Sequence, residues 1–330
     1  KQLVYYVGRE KFFKGINNYL NKHAYSNATL ADLLAELELT SGRDLKAWSA
    51  QWLEESGINT IATEVEENED GTIKRLALRQ TAPAEHPVLR AHRLAVGFYN
   101  EDPETGKIVR TDRFELDVDG ELTVVDAAAG KARPSLILVN DDDLTYTKLR
   151  FDDKSLAFAT SNLYRFDDAL ARSVLWLALW DMTRDGEMSA RDYLNLALTS
   201  IPVEDNMSLL MLTLRHIDEA VRTFVAPQYR AEAAEDTGRR LLLLARTAAS
   251  GSDAQRMLVA AAARNATSAE QFEAIRGLFD GTQTLDGLDL DVDLKWDLLV
   301  SLVRGDAATE ADIEAAKNAD PKAAAEAAKN

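Results

Sequence analysis

The chain has 330 residues, of which 46% are apolar, 7 are proline, 16 are glycine and none is cysteine. That length and composition fit about two or three folded domains, and they exclude a disulfide-stabilised miniprotein, a disordered chain and any thiol-based catalytic or metal site. Acidic side chains outnumber basic ones by 55 to 38, and the formal net charge of −17 argues against nucleic acid and anionic membrane surfaces as partners.

Residues 1–57 are predicted to be helical, because apolar side chains recur there at three- and four-residue spacing. Thr29 stands where a helix N-cap is expected, and Ser41-Gly42 ends that helix. The following helix carries Trp48 and Trp52 on one face, which we expect to be buried against the preceding helices. The chain opens inside an apolar pattern, with neither an initiator methionine nor a secretion signal, so we expect it to be part of a longer protein.

Residues 58–165 change to the two-residue period of β-strands, with Asp70-Gly71 and Asp119-Gly120 marking tight turns. The predicted strands are 60–65, 72–78, 93–99, 108–118, 121–125, 135–139 and 145–151. Many short strands with frequent turn signals are typical of an immunoglobulin-like β-sandwich, which we expect this region to form.

Residues 166–330 return to the helical period, and several helices are predicted to begin at Ser189, Ser252 or Ser268. The predicted helices are 168–183, 189–200, 204–225, 228–249, 253–265, 268–279 and 293–304. Successive helices joined by short loops favour an α-solenoid of HEAT- or armadillo-like pairs. The tail 307–330, rich in alanine, glutamate and lysine, is expected either to fray or to be truncated.

The histidines show no spacing that would hold a metal. They are His23, His86, His92 and His216. No two stand four apart on a predicted helix as a zinc peptidase site requires. The run Asp289, Asp291, Asp293 resembles the start of a calcium loop, but Leu294 occupies the position where that loop needs glycine.

Other candidate sites have simpler structural explanations. Asn140-Asp141-Asp142-Asp143 offers oxygens to a cation, although a solvated turn between strands is the favoured interpretation. Trp176 and Trp180 are expected in a core rather than in a ligand site. Nucleophile elbows and phosphate-binding loops are missing. The sequence therefore assigns no catalytic, cofactor-binding or metal-binding residue.

Several segments together resemble one family. They are residues 1–15 (KQLVYYVGREKFFKG), 19–29 (YLNKHAYSNAT), 139–149 (VNDDDLTYTKL), 171–176 (ARSVLW), 180–188 (WDMTRDGEM) and 293–299 (DLKWDLL). In this order they are similar to the carboxyl-terminal portion of the aminopeptidase N family, the gluzincin zinc exopeptidases, in its actinobacterial form. The resemblance runs from the last helices of the catalytic domain through the small sandwich to an endoplasmic-reticulum-aminopeptidase-like C-terminal domain.

The resemblance implies a division of labour within a longer enzyme. In the family a His-Glu-x-x-His pair with a downstream glutamate holds zinc, and this sequence contains no such segment. Zinc would therefore belong to the parent enzyme, a metallo-aminopeptidase of the membrane alanyl aminopeptidase type, and this fragment alone is predicted to be inactive. It would cap the active-site chamber, with the upstream catalytic domain and the peptide substrate as its partners.

Arginines on the later helices are the candidates for contact with a peptide carboxylate. They are Arg215, Arg222, Arg239, Arg240, Arg246 and Arg276. Surface ion pairing is the alternative for each of them. No run approaches the roughly 20 apolar residues of a bilayer span. The lack of cysteine favours a cytoplasmic location, with a cysteine-poor secreted protein as the alternative.

Two other functions are consistent with the residues alone. The helical region can be a stand-alone module whose concave face binds a peptide or protein, or the chain can be a purely structural scaffold. Turnover of aminoacyl amides, zinc content and titration with long peptides distinguish these functions from an inactive aminopeptidase fragment.

Overall fold

The computed structural model describes residues 1–320, and the chain divides into two compact units, Lys1–Asp181 and Met182–Asn330. Helices and small sheets are both present, so the chain is a mixed α and β protein with helices at its C-terminal side. None of the helices within the described residues combines the length and hydropathy that a membrane span needs. The boundaries predicted at 57/58 and 165/166 stay predictions.

Short helices open the first unit. They are α1 (Gln2–Val7), α2 (Arg9–Lys22), α3 (Leu30–Ser41) and α4 (Leu45–Ser49), followed by a π-helical turn (Ala50–Glu54). The Thr29 hydroxyl accepts the Asp32 N–H at 3.3 Å and the Asp32 carboxylate accepts the Thr29 N–H at 2.9 Å, which confirms the predicted N-cap. Gly42, at φ 72°, ends α3 as predicted. Gly8, at φ 91°, separates α1 from α2.

A small apolar core joins these helices. Trp48 is buried in it beside Val7, Leu37 and Leu45, which confirms the prediction for this tryptophan. Trp52 packs against the same core and also donates its indole N–H to the Ala91 carbonyl at 3.1 Å. The second tryptophan therefore ties the π-helical turn to the strand region.

All seven predicted strands are present. They are β1 (Thr60–Glu67), β2 (Ile73–Thr81), β3 (His92–Glu101), β4 (Ile108–Val118), β5 (Leu122–Val124), β6 (Leu136–Asp141) and β7 (Lys148–Arg150). They form one sheet in the order β5-β2-β1-β7 and another in the order β4-β3-β6. Only the β1–β7 pairing, which aligns Thr60 with Lys148, is parallel within the described sheets.

The structure adds a helix, α5 (Asp153–Asn162), inside the region predicted to hold strands and turns. Asp152 caps it by accepting the Ser155 N–H at 3.1 Å, and the Ser155 hydroxyl accepts the Ile137 N–H of β6 at 3.0 Å. The helix packs on β6, whose residues are all buried. Its short apolar run, 156–159, gives too little helical period to be predicted.

The later helices match the predicted periodicity. They are α6 (Ala169–Arg184), α7 (Ala190–Ser200), α8 (Met207–Glu219), α9 (Pro227–Thr247), α10 (Asp253–Asn265), α11 (Ala269–Asp280), α12 (Val292–Arg304) and α13 (Glu310–Ala319), with a π-helical turn (Ala220–Phe224) after α8. Ser252 and Ser268 cap their helices with side-chain hydrogen bonds as predicted, whereas the Ser189 side chain does not. The expectation for the tail beyond residue 320 lies outside the described residues.

Packing in the second unit brings alternate helices side by side. Helix α10 contacts α8, α12 and α9. Helix α7 packs on α9, and α11 packs on α12. Gly238 of α9 allows one of these close approaches, because a Cβ there would lie 2.7 Å from the Asn265 carbonyl oxygen of α10. This arrangement positions the arginines of the helical region.

Candidate functional site

The six arginines singled out from sequence are spread over several helices. Arg215 is on α8, Arg222 on the following π-helical turn, Arg239, Arg240 and Arg246 on α9, and Arg276 on α11. Arg239 ion-pairs with Asp236, Arg240 donates to Asn195 at 2.9 Å, and Arg276 pairs with Asp312 at 3.0 Å. Arg215, Arg222 and Arg246 have no hydrogen-bond or ion-pair partner among residues 1–320. Surface pairing, the alternative, therefore accounts for half of the six.

A cluster of three guanidinium groups forms around Arg222, at the C-terminal ends of neighbouring helices. Arg264, in the last turn of α10, pairs with Asp218 of α8 at 2.7 Å. Arg304 ends α12 and donates to the carbonyl oxygens of Ala263, Arg264 and Ala266 at 2.7 to 2.9 Å. It thereby satisfies carbonyls that the end of α10 leaves without a helical partner.

The electrostatics of this arginine cluster are unbalanced. Burial lowers the pKa of Arg304, the nearby Arg222 lowers it further, and Asp218 acts in the opposite direction. Asp218 is the carboxylate that offsets this effect at Arg304, and it is already bound by Arg264 and by the Asn265 amide. Arg222 is exposed and uncommitted within the described residues. The cluster carries excess positive charge in a protein of strongly negative net charge.

This chemistry suits binding rather than proton transfer. Guanidinium groups stay protonated in proteins and donate paired hydrogen bonds to carboxylates and phosphates. Sequence reasoning found Arg222 but missed Arg264 and Arg304. Both occupy the last turn of a predicted helix, where a cation is expected to face the helix carbonyls. The position of Arg264 and Arg304 in a last helical turn could be read from the sequence. Which helices lie next to each other could not.

The buried histidines are structural. His92 lies 2.8 Å from both the Thr145 hydroxyl and the Gln80 amide oxygen, and burial, assisted by Arg90, lowers its pKa to about 3. His216 Nδ1 lies 3.0 Å from the Tyr193 hydroxyl, and burial lowers its pKa to about 4. Both imidazoles are therefore neutral at physiological pH and hydrogen-bonded within the protein.

The other two histidines lie in separate places. His23 packs beside Tyr19, and the Cβ of His86 lies over Gly57. Within residues 1–320, no group of three or more histidine and carboxylate side chains is arranged to hold a metal ion.

The acidic run at residues 140–143 is a turn stabilised by protein groups. The Asn140 side chain accepts the N–H groups of Leu144 and Thr145 at 2.9 and 3.0 Å. Buried Asp141 accepts the Tyr99 hydroxyl and the Arg110 guanidinium, each at 2.7 Å. These contacts occupy the side-chain oxygens of Asn140 and Asp141, in agreement with the favoured interpretation of this run as a turn.

The remaining candidates also have structural roles. Asp291 caps α12 by accepting the Leu294 N–H at 2.8 Å and pairs with Arg256 at 2.8 Å. Trp176 and Trp180 are 2% and 5% exposed, so both lie in a core as expected. Neither the acidic loop nor the tryptophan pair forms a ligand site.

Comparison with known proteins gives the family. The ERAP1-like C-terminal domain family matches residues 136–329, which is more than half of the chain, and the protein belongs to that family. It is 46% identical over 302 residues to Aminopeptidase N of Streptomyces lividans, an alignment that covers 90% of this chain and 35% of that protein. These findings confirm the resemblance to the carboxyl-terminal portion of an actinobacterial aminopeptidase N.

More distant relatives agree. The chain is 26% identical over 166 residues to Aminopeptidase M1 of Arabidopsis thaliana, covering 49% of this chain and 18% of that protein. It is 37% identical over 75 residues to Tricorn protease-interacting factor F2 of Thermoplasma volcanium, covering 23% of this chain and 9% of the relative. In each case the chain spans a small part of the relative's length, about a third for the Streptomyces protein.

Proposed function

We propose that this chain is the non-catalytic carboxyl-terminal part of a zinc-dependent aminopeptidase N, which removes N-terminal residues from peptides. It caps the active-site chamber and controls the access of peptides to it. Family membership and the similarity to a longer protein, of which the alignment covers 35%, support this proposal. The buried, hydrogen-bonded His92 and His216 are unsuited to binding zinc, which favours a zinc site elsewhere in the parent enzyme.

The proposal includes a finer description of the fold. The two sheets make an immunoglobulin-like sandwich, supported by the burial of β6 along its whole length. Helices α7 to α12 make an α-solenoid, supported by the side-by-side packing of α8, α10 and α12 with α9 and α11 laid against them. The proposed location is the cytoplasm, which the absence of cysteine favours.

The upstream catalytic region of the same polypeptide is the proposed partner of the N-terminal helices. Large apolar side chains are exposed there, including Phe13, Leu20, Leu30 and Leu39, the last at 78%. Contacts between domains of one chain commonly bury about 600 to 1,500 Å². An exposed apolar surface on residues 1–56 is what such a contact requires.

The observation that carries the proposal is the arginine cluster of Arg222, Arg264 and Arg304. A carboxylate at the end of a peptide would complete the charge balance that Asp218 alone leaves incomplete. Arg222 is the group free to bind it among the described residues, because Arg264 and Arg304 already hold Asp218 and the α10 carbonyls. Charge-assisted hydrogen bonds from guanidinium to carboxylate are strong and directional.

Titration of this chain with a long alanine-rich peptide tests the carboxylate role. The free-acid peptide should bind at least about tenfold more tightly than its C-terminal amide, since one charge-assisted hydrogen bond contributes about 1.5–3 kcal/mol. Arg222→Ala should remove the difference, whereas Arg239→Ala, which changes an arginine paired with Asp236, should preserve it. Equal binding of acid and amide would contradict the role of the arginine cluster.

Catalysis is tested separately. The chain should be inactive on aminoacyl chromogenic amides and should hold no stoichiometric zinc after dialysis. Turnover, or one zinc per chain, would overturn the non-catalytic assignment. Binding of long peptides that does not depend on their C-terminal charge would instead favour a stand-alone binding module.

A further inference from the structure

One edge strand of the smaller sheet is long and uncovered. An open strand edge can pair with another strand, and proteins commonly limit this by keeping edge strands short or by covering them. Strands β5 and β7, the edges of the larger sheet, have three residues each. On β6 the Ser155 hydroxyl of α5 accepts the Ile137 N–H at 3.0 Å. Strand β4, the other edge of the smaller sheet, has 11 residues, so shortness does not protect it.

Most of the outer edge of β4 lacks a backbone partner. Its first residue, Ile108, forms a bridge with Phe166 and accepts the Asp167 N–H at 3.3 Å. From residue 109 to residue 118 the strand pairs with β3, and these residues make no other backbone hydrogen bond within residues 1–320. Alternate residues of an antiparallel edge strand direct their N–H and C=O groups away from the sheet. This stretch therefore offers a row of donors and acceptors to a further strand.

One side of β4 also leaves apolar surface uncovered. Phe114 and Leu116 lie opposite Val96 and Leu94 of β3, on the same side of the sheet. Val96 and Leu94 are fully buried, whereas Phe114 and Leu116 are half-buried. A strand added beyond β4 would cover Phe114 and Leu116, as the strands on either side of β3 cover its apolar side chains.

The charges of β4 complement those of a second β4 running in the opposite direction. Arg113 and Glu115 flank Phe114, so a two-fold axis at Phe114 places Arg113 of each copy opposite Glu115 of the other. Their side chains are 30% and 31% exposed. The same register places Asp112 opposite Leu116, and Lys131 of the same chain pairs with Asp112 at 3.0 Å. No like charges then face each other directly.

Neighbouring registers are less favourable. The half-buried apolar side chains stay on one side of a joined sheet only if the strands slip by two residues at a time. Such a slip moves the two-fold axis to residue 113, where Arg113 would face its own copy, or to residue 115, where Glu115 would do so. Like charges directly opposite each other destabilise a strand pair, so the register centred on Phe114 is favoured.

We propose that β4 pairs antiparallel with β4 of a second copy of this chain, about a two-fold axis at Phe114. The pairing joins two three-stranded sheets into one sheet of six strands. Because a contact through one strand is small, the dimer is expected to dissociate on dilution. The contact stands independently of the aminopeptidase proposal.

Multi-angle light scattering at protein concentrations from about 1 to about 500 µM tests the proposal. The mass should rise with concentration from 36.5 kDa toward twice that value. Leu39→Glu changes a side chain of α3 that is 78% exposed and distant in sequence from β4, and it should leave this rise unchanged. A constant mass of one chain, or a dimer that Leu39→Glu abolishes, would overturn the proposal.

Two charge reversals test the register. Arg113→Glu or Glu115→Arg alone brings two like-charge pairs together, and each should weaken dimerisation at least about tenfold. An equal mixture of the two variants should form a heterodimer, because both facing pairs are again of opposite charge. A misfolded variant would not give this recovery. A dimer insensitive to both reversals, or two folded variants that stay monomeric when mixed, would contradict the register and overturn the proposal.

A cysteine at the axis gives a test that does not depend on charge. The chain has no cysteine, so Phe114→Cys introduces a single thiol. Directly opposed residues have Cβ atoms about 4.5–5.5 Å apart, so this thiol should form a disulfide with its own copy after a small adjustment. Leu122→Cys, on the short edge strand β5 and 40% exposed, is the matched control and should cross-link much more slowly. Equal rates of cross-linking under mild oxidation would overturn the proposal.

Discussion

Arginine is used differently on the strands and on the later helices. On β2, β3 and β4 each arginine faces a carboxylate: Arg75 with Glu66, Arg79 with Glu64, Arg93 with Glu115, Arg110 with Asp141 and Arg113 with Asp142. On the helices, Arg222 and Arg246 have no partner among residues 1–320, although acidic side chains are in large excess. Because carboxylates are plentiful, an unpaired cation is informative, and Arg222 lies in the arginine cluster proposed to bind a carboxylate.

Buried polar groups extend this contrast. The strand region commits its buried cations and imidazoles to the backbone and to other side chains, so these groups contribute to stability. The helical region leaves exposed cations uncommitted within the described residues, so they are available to ligands. Substitutions in the first set should therefore change unfolding, and substitutions in the second set should change binding alone.

The largest effect on stability is expected for Arg90→Ala. Arg90 is 2% exposed, donates to the carbonyl oxygens of Gln51, Glu55 and Ser56 at 2.8 to 2.9 Å, and lies over the Trp52 ring. Its removal takes the arginine donor away from these three carbonyls and opens a cavity beside the tryptophan. The free energy of unfolding should fall by about 3 kcal/mol, measured by urea unfolding followed by tryptophan fluorescence.

The matched control for Arg90 is an arginine in a surface pair. Arg75, about a third exposed, lies 3.5 Å from Glu66, and Arg75→Ala should cost less than about 1 kcal/mol. If both substitutions lowered the unfolding free energy equally, the buried contacts of Arg90 would contribute no more to stability than a surface ion pair.

The next largest expected effect is a loss of stability at acidic pH, caused by His92. Burial lowers the pKa of His92 to about 3, below the ordinary value of 6.5, so the unfolded chain binds the proton more readily than the folded one. Stability should therefore fall as the pH drops below about 6.5, and continue to fall toward pH 3. At pH 5 the loss from this residue should be about 2 kcal/mol relative to neutral pH.

His92→Gln tests this dependence, because glutamine keeps polar groups near Gln80 and Thr145 but does not titrate. Urea midpoints at pH 7.5 and pH 5 should differ less in the variant than in the parent chain, by about 2 kcal/mol in unfolding free energy. The variant can be less stable at both values without affecting the test. An identical pH dependence in both chains would contradict a neutral buried imidazole at this position.

Much of the fold was predictable because its signals are local. The β-strand period identified all seven strands, and Thr29, Ser252 and Ser268 marked helix starts that the structure confirms. Helix α5 was missed because its single turn of apolar residues gives no sustained period. The helix is held by packing on β6, and this contact cannot be read from the hydrophobic pattern of residues 153–162.

The candidate sites were less predictable because they depend on packing between helices. Arg222 was a sequence candidate, but its neighbours Arg264 and Arg304 belong to helices far along the chain that meet only after folding. Arg246 was a candidate as well, and its sequence position could not show that it has no hydrogen-bond or ion-pair partner among the described residues. Residue spacing shows which side chains share one face of a helix, but it does not show which other helix packs against that face.

The smallest expected effect on stability is the difference between substitutions of two serines that precede helices. Ser268 accepts the Gln271 N–H at 3.4 Å, and Gln271 accepts the Ser268 N–H at 3.1 Å in a capping box, so Ser268→Ala should lower the unfolding free energy by about 1 kcal/mol. Ser189 precedes α7 without a side-chain cap, and Ser189→Ala should change it by less than about 0.5 kcal/mol. Urea unfolding followed by circular dichroism measures both. If Ser189→Ala proved as costly as Ser268→Ala, position before a helix, rather than the hydrogen bond, would determine the cost.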